Sequence, residues 1–182
     1  MNIFYLHENP QLCAQMHIDK HCVKMIIEYA QLMSTTHRML DGMEYDGKTK
    51  SGKKVKRWVC ADITKEKTLY KASHINHPST LWVRDSAENY KWLYNMWCCL
   101  CDEYTYRYGK THLTDKKLRR ILKEVPTNIP STEFTEPTQA MPDDVKVLND
   151  SKTAYRNYYI NHKKGFATWK LREKPTWFQT TQ

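Results

Sequence analysis

No stretch of this chain approaches eighteen consecutive apolar residues, and its start, MNIFYLHENP, lacks a positive opening followed by a long apolar run. The first absence argues against a membrane span and the second against an export signal. The expectation is a soluble protein of the cytoplasm, the host cell's if the chain is viral. The six cysteines, at 13, 22, 60, 98, 99 and 101, contain no C-x-x-C pair, so the signal for a zinc ribbon is missing. Without an export signal they read as free thiols. Cys98, Cys99 and Cys101 read as small apolar filler in a buried helix. The spacing G-x-x-x-x-G-K-[ST] is absent as well, which removes a P-loop and with it the usual ATP site. There is no internal repeat and no sustained β-alternation.

Acidic residues are in short supply. Twenty Asp and Glu face 29 Lys and Arg, giving a net charge of +9 over 182 residues and a pI near 9.2. Such a balance points to a polyanionic partner, most often nucleic acid, although a lysine excess also serves plain solubility. Phe is scarce at 4, against 12 Tyr and 6 Trp. Tyr and Trp stack on bases while keeping a polar edge wet, and they also fill cores.

The stretch Gln11–Leu40 has neither Gly nor Pro and reads as one long helix. Ile18, Cys22, Met25, Ile26, Tyr29, Leu32 and Met33 recur at helical steps and form its core face. At about 100° per residue the opposite stripe collects His17, Lys20, His21, Lys24, Glu28, Gln31 and Arg38. Two imidazoles one turn apart, flanked by lysines and followed by a carboxylate, resemble the floor of a site more than a random solvated face. His17 and His21 at i,i+4 are also a possible metal pair, with a third ligand from Asp19, His74 or His77, but the flanking lysines oppose a cation. Anion or nucleotide binding suits the stripe better, and no metal or other cofactor is expected.

The rest of the chain punctuates itself. Asn2–Leu6 is an edge strand or an extended arm, and Asn9 or Pro10 starts the first helix, which Asp41-Gly42 ends. Segment 43–66 is expected to be a mobile basic loop, because DGKTKSGKKVK (Asp46–Lys56) is rich in Gly and Lys; it reads as a solvated linker or as a flap contacting phosphates. Pro78 favours a helix start, with His77 or Asn76 as cap, and no breaker follows until Gly109. Leu81, Trp82, Tyr90, Leu93, Met96, Trp97, Leu100 and Tyr104 form the apolar ladder of that second long helix. Thr114 is expected to cap a basic helix over 115–124. Residues 125–148 form an irregular Pro/Thr-rich connector, and a fourth helix runs from Asn149 or Asp150 to about Lys163. Residues 165–182 are an aromatic, basic C-terminal arm. The fold expected is therefore all-α: one compact helical domain over 1–182 with two long helices, two shorter ones and that arm.

Two further clusters stand out. His74, Asn76, His77 and Arg84 surround a loop before a helix, a natural seat for phosphate if it is not simply a turn with caps. Lys174-Pro175-Thr176-Trp177-Phe178 places Trp177 where it either stacks on a base or pins the tail to the core.

These residues carry a resemblance. Ala14-Gln15-Met16-His17 early in the first helix, the Asn76-His77-Pro78 turn followed by Trp82, Tyr90, Asp102-Glu103 and Arg107-Tyr108, and the Lys174–Phe178 tail are similar to the pyrimidine-dimer DNA glycosylases of the endonuclease V type found in bacteriophages and bacteria. The chain also resembles an uncharacterised family common in marine bacteriophages. The glycosylase resemblance implies an α-amino group that attacks C1′ of a damaged nucleotide to form an imine, assisted by a glutamate on the first helix. An α-amino group, with a reference pKa near 8, supplies free amine more readily than Lys. Two departures bear on this. Residue 2 is Asn, so Met1 is expected to be retained and to supply the amine, and the family's glutamate position holds Lys24, with Glu28 one turn on as its substitute.

The function expected is a DNA-processing glycosylase or lyase acting on damaged or modified pyrimidines. Met1, Glu28, Lys24 and His17 carry catalysis in this reading, with Glu28 as acid and base and Met1 or Lys20/Lys24 as the amine. Lys20, His21, Arg38, His74, Asn76, His77, Arg84 and Trp177 hold nucleic acid. The alternatives are a non-catalytic nucleic-acid or nucleotide binder using the same pocket, and a metal-dependent nuclease on His17, His21 and Asp19.

Overall fold

The computed structural model describes residues 1–179. The architecture is mostly helical rather than strictly all-α. Eight α-helices and one two-stranded antiparallel sheet are present among the described residues. Asn2–Leu6 forms an extended arm rather than a strand, and Ile3, Phe4, Tyr5 and Leu6 are all buried.

The expected first helix is two. α1 spans Pro10–Met16, capped by the Asn9 side chain, which accepts from the amides of Gln11 and Leu12. α2 spans Asp19–Asp41. Between them His17 and Ile18 are extended. No Gly or Pro forces the break; a distant arginine makes it affordable. Arg107 donates to the carbonyls of Gln15 (2.9 Å) and His17 (2.8 Å), which the end of α1 leaves unpaired. Arg107 is itself held by Glu103 (2.7 Å) and Asp19 (3.0 Å).

α2 buries the face its periodicity predicts, including Ile18 just before it, Cys22, Met25, Ile26, Tyr29, Leu32 and Met33. It packs against α4 (Pro78–Asp85), α5 (Ala87–Tyr108) and α6 (Leu113–Leu122), while α1 lies against α5. The expected second long helix is also broken, at Ser86. That hydroxyl accepts from the Glu88 amide to cap α5 and donates to the Thr132 carbonyl at 2.6 Å. His77 caps α4 and Gly109, at φ 67°, ends α5, as the sequence predicts. The ladder residues are buried except Leu81, which is exposed. α6 begins two residues early, and His112 caps it in place of Thr114. α7 (Ser151–His162) is capped by Asp150, and α8 (Thr176–Gln179) closes the described chain. Residues 180–182 of the predicted arm lie outside the described residues.

The predicted loop at 43–66 is instead a hairpin and a short helix. β1 (Met43–Lys48) pairs with β2 (Lys54–Val59) in register from Met43↔Val59 to Lys48↔Lys54, and α3 covers Ile63–Thr68. The strands escape a hydrophobic-alternation test because they bury almost nothing; Trp58 alone among their residues is buried.

Candidate active site at the N-terminal arm

Tyr29 places the arm. Its hydroxyl accepts the Phe4 N–H at 3.1 Å and donates to His17 Nε2 at 2.9 Å. His17 Nδ1–H in turn donates to the Cys13 carbonyl at 2.8 Å, which fixes the neutral tautomer. Phe4 stacks on the His21 ring at 4.2 Å, and His21 Nδ1 meets the Tyr159 hydroxyl at 2.7 Å. Further on, Arg156 donates twice to the Leu6 carbonyl, at 3.0 and 2.9 Å. The arm is thus fixed at Phe4 and Leu6, and Met1 comes to rest over the turn of α2 that carries Glu28. The α-amino nitrogen lies 3.9 Å from Glu28 Oε2. Lys24 Nζ sits 3.2 Å from the other oxygen, Glu28 Oε1. The Met1 side chain is nearly buried, Glu28 is partly covered and Lys24 is open to solvent.

A second segment borders this pair. Residues 69–77 run along the α2 stripe that holds Glu28: Gln31 donates to the Lys71 carbonyl at 2.6 Å, and the Thr35 hydroxyl accepts the Ser73 amide at 3.2 Å. The segment ends in the His74–Pro78 turn, where His74 takes the left-handed φ of 50°, uncommon for a residue with a Cβ. His77 Nδ1 accepts the Ser79 N–H at 3.1 Å, so the neutral ring carries its proton on Nε2. Burial, followed by the positive charge of the Met1 amine, holds this imidazole below its usual range, and Glu28 opposes the shift. The turn thus lies within electrostatic reach of the N-terminus.

Several predicted site residues do not belong to it. His17 is completely buried, and with both ring nitrogens engaged it positions Tyr29 rather than touching substrate. Burial holds its pKa near 4 and that of His21 near 3, so both are neutral core groups and not part of a cationic stripe. Arg38 is buried too. It donates to the carbonyls of Tyr70 (2.7 Å), Trp58 (2.9 Å), Glu66 (3.0 Å) and Leu69 (3.1 Å) and pairs with the Glu66 carboxylate at 2.6 Å. No donor is left for a phosphate. Lys20 lies over the Phe166 ring at 4.4 Å. Arg84 donates to the Ile75 carbonyl at 3.0 Å and braces the turn from below. Trp177 is half-buried against Tyr159 and Arg156, the pinned-tail arrangement. Asn76 is exposed beside His77.

The metal reading fails on geometry. Asp19 accepts from Arg107 and the Lys170 amide, while His17 and His21 turn into the core. Among the described residues no three His, Cys, Asp or Glu side chains gather as a metal-holding group. No helix of the described residues is long and apolar enough to cross a membrane.

The residues that sequence reasoning missed are Tyr29, read only as core, and Thr35, which with the stripe residue Gln31 seats the bordering segment. Their partners are 25 to 40 residues away, at separations no local pattern reports.

An amine and a carboxylate, brought together by a buried arm on a basic helical scaffold, define a site suited to amine chemistry on a polyanion. The family described as pyrimidine dimer DNA glycosylase matches residues 1–117, and the chain belongs to that family. The matched span holds Met1, Glu28 and the His77 turn, while the Lys174–Phe178 tail lies beyond it. No curated protein and no solved structure matches the chain.

Proposed function

We propose that this protein cleaves the glycosidic bond of a damaged pyrimidine nucleotide in DNA through an imine on the Met1 amine, with Glu28 as acid and base. The observation that carries the reading is the 3.9 Å approach of the α-amine to Glu28. In the step envisaged, the amine lone pair attacks C1′ with Met1 as the mature terminus. The C1′–N bond breaks, its electron pair leaves with the base, and one of the two amine protons goes to the base. Glu28 takes the other amine proton and passes it to O4′ as the C1′–O4′ bond opens, so that a C1′=N imine remains. Glu28, now a carboxylate, is placed to remove a C2′ proton for elimination of the 3′ phosphate. Lys24 and Lys71, both exposed beside the site, meet the flanking phosphates.

The test is borohydride trapping on duplex that carries a pyrimidine dimer or an abasic site. The reading expects a covalent protein–DNA adduct in the wild type. Glu28→Gln is expected to slow its formation about 10²-fold or more while duplex binding holds or tightens. A wild type that binds duplex without any adduct would instead support the second reading, binding without turnover, which draws on Lys24 at the family's glutamate position.

A further inference from the structure

The hairpin of β1 and β2 adds almost nothing to the core, yet its base is held by one of the most heavily bonded side chains in the protein. Arg38 ties the β2 carbonyl of Trp58 to α3 and to the 69–70 backbone. The hairpin's tip is exposed and cationic. Lys48, Lys50, Lys53 and Lys54 crowd the tip, all exposed, and none of them makes an ion pair among the described residues; the hairpin's one ion pair is Lys56 with Glu44. Lys48 and Lys54 are direct cross-strand partners. Like charges placed opposite one another destabilise a strand pair. A rigid base that supports a self-repelling tip suits a polyanion that relieves the repulsion.

Position makes the fit more specific. Glu28, Gln31, Thr35 and Arg38 lie on one stripe of α2, so the hairpin base is on the same side of the helix as the amine. From Glu28 to the end of α2 at Asp41 is about 20 Å at ~1.5 Å per residue, which spans about six base pairs at ~3.4 Å each. The strands extend about 20 Å at ~3.3 Å per residue. The exposed Lys71 lies between the two places, its carbonyl bonded to Gln31.

We propose that the hairpin tip is a second DNA contact, which grips duplex phosphates about six or more base pairs from the lesion and supplies affinity rather than chemistry. This rests on the reading of DNA as the substrate. The probe is a duplex of about 40 base pairs bearing one uncleavable tetrahydrofuran abasic analogue, compared with a duplex of about 8 base pairs centred on the same analogue, too short to reach the tip. Changing Lys48, Lys50, Lys53 and Lys54 together to Gln should lower the slope of log affinity against log salt by about 3 on the long duplex and leave it unchanged on the short one. The same four positions changed to Arg should keep the wild-type slope. On a separate duplex of about 40 base pairs bearing a natural abasic site, the rate of borohydride adduct formation at saturating DNA should be the same for all three proteins. In a separate variant, Lys54→Glu should raise thermal stability, by giving Lys48 an opposite charge, and weaken binding to the long duplex.

An unchanged slope in the Gln variant, or an equal loss on both duplexes, would overturn the hairpin contact while leaving the active-site reading intact. A wild type that binds long duplex with the hairpin dependence described, yet forms no adduct, would overturn the imine and leave the hairpin contact standing. A wild type with no salt-dependent duplex binding would overturn both.

Discussion

Tyr29 accepts the backbone N–H of Phe4 at 3.1 Å, and that single bond links the core of α2 to the backbone three residues from the amine. His17 completes the relay by accepting the Tyr29 proton. A core hydrogen bond thus sets where the Met1 amine comes to rest. Tyr29→Phe removes the acceptor for Phe4 and the donor for His17. It should destabilise the fold by about 1–3 kcal/mol, the cost of leaving buried polar groups unpaired. At a temperature where the variant is folded, borohydride adduct formation should fall well below wild type while duplex affinity is retained. Full adduct rate in a folded Tyr29→Phe protein would show that the arm needs no such anchor.

The His77 ring caps α4 and lies within electrostatic reach of the amine, and two substitutions separate a capping role from a role at the site. Asn caps helices well, so His77→Asn should keep stability near wild type, whereas His77→Ala should lose about 1 kcal/mol. Both should slow adduct formation to a similar degree if the imidazole serves the site. Recovery of the rate in the Asn variant would reduce His77 to a cap. Thermal melts and single-turnover trapping measure the two effects independently.

Arg38→Ala should act on folding rather than on DNA. It leaves the carbonyls of Trp58, Leu69 and Tyr70 without their donor and the Glu66 carboxylate without its cation. A loss of about 3 kcal/mol or more in unfolding free energy is expected. Denaturant titration measures it. A stable Arg38→Ala protein with weakened DNA binding would restore Arg38 as a phosphate ligand.

Three buried histidines make stability depend on pH. Burial lowers His17 and His37 to about 4 and His21 to about 3. In the unfolded chain they titrate near the ordinary ~6.5. Between those values the unfolded state binds more protons, so stability falls as pH drops from about 6.5 toward 4, by up to ~1.4 kcal/mol per pH unit for each histidine. Denaturant midpoints across that window should decline steeply, and His17→Gln should flatten the decline by about one proton. A flat wild-type profile would mean that these rings are charged or exposed in the folded protein.

What the sequence makes legible is the local part of this structure. The apolar face of α2, the His77-Pro78 helix start, the Gly109 stop and the irregular connector all follow from residues close in the chain. Both long helices are broken at places where the compensating partners are remote, Arg107 for the α1–α2 break and Thr132 for Ser86. The site is legible in half-measure for the same reason. Met1 and Lys24 both lie close to Glu28, as the stripe and the resemblance lead one to expect. His17, His21 and Arg38 share the predicted stripe, but tertiary partners claim them: Tyr29, Tyr159 and the 66–70 backbone. A helical wheel reports direction around an axis and cannot report what later packs on that side. The hairpin escapes because its short strands bury only Trp58, so no core face marks them.

The account turns on which nitrogen reaches C1′. The decisive measurement is mass spectrometry of the borohydride-reduced adduct after protease and nuclease digestion. The prediction is that the sugar-derived mass lies on the α-amine of the peptide beginning at Met1, and that acetylating this amine abolishes trapping. An adduct on Lys20 or Lys24 with the Met1 amine unmodified would contradict it.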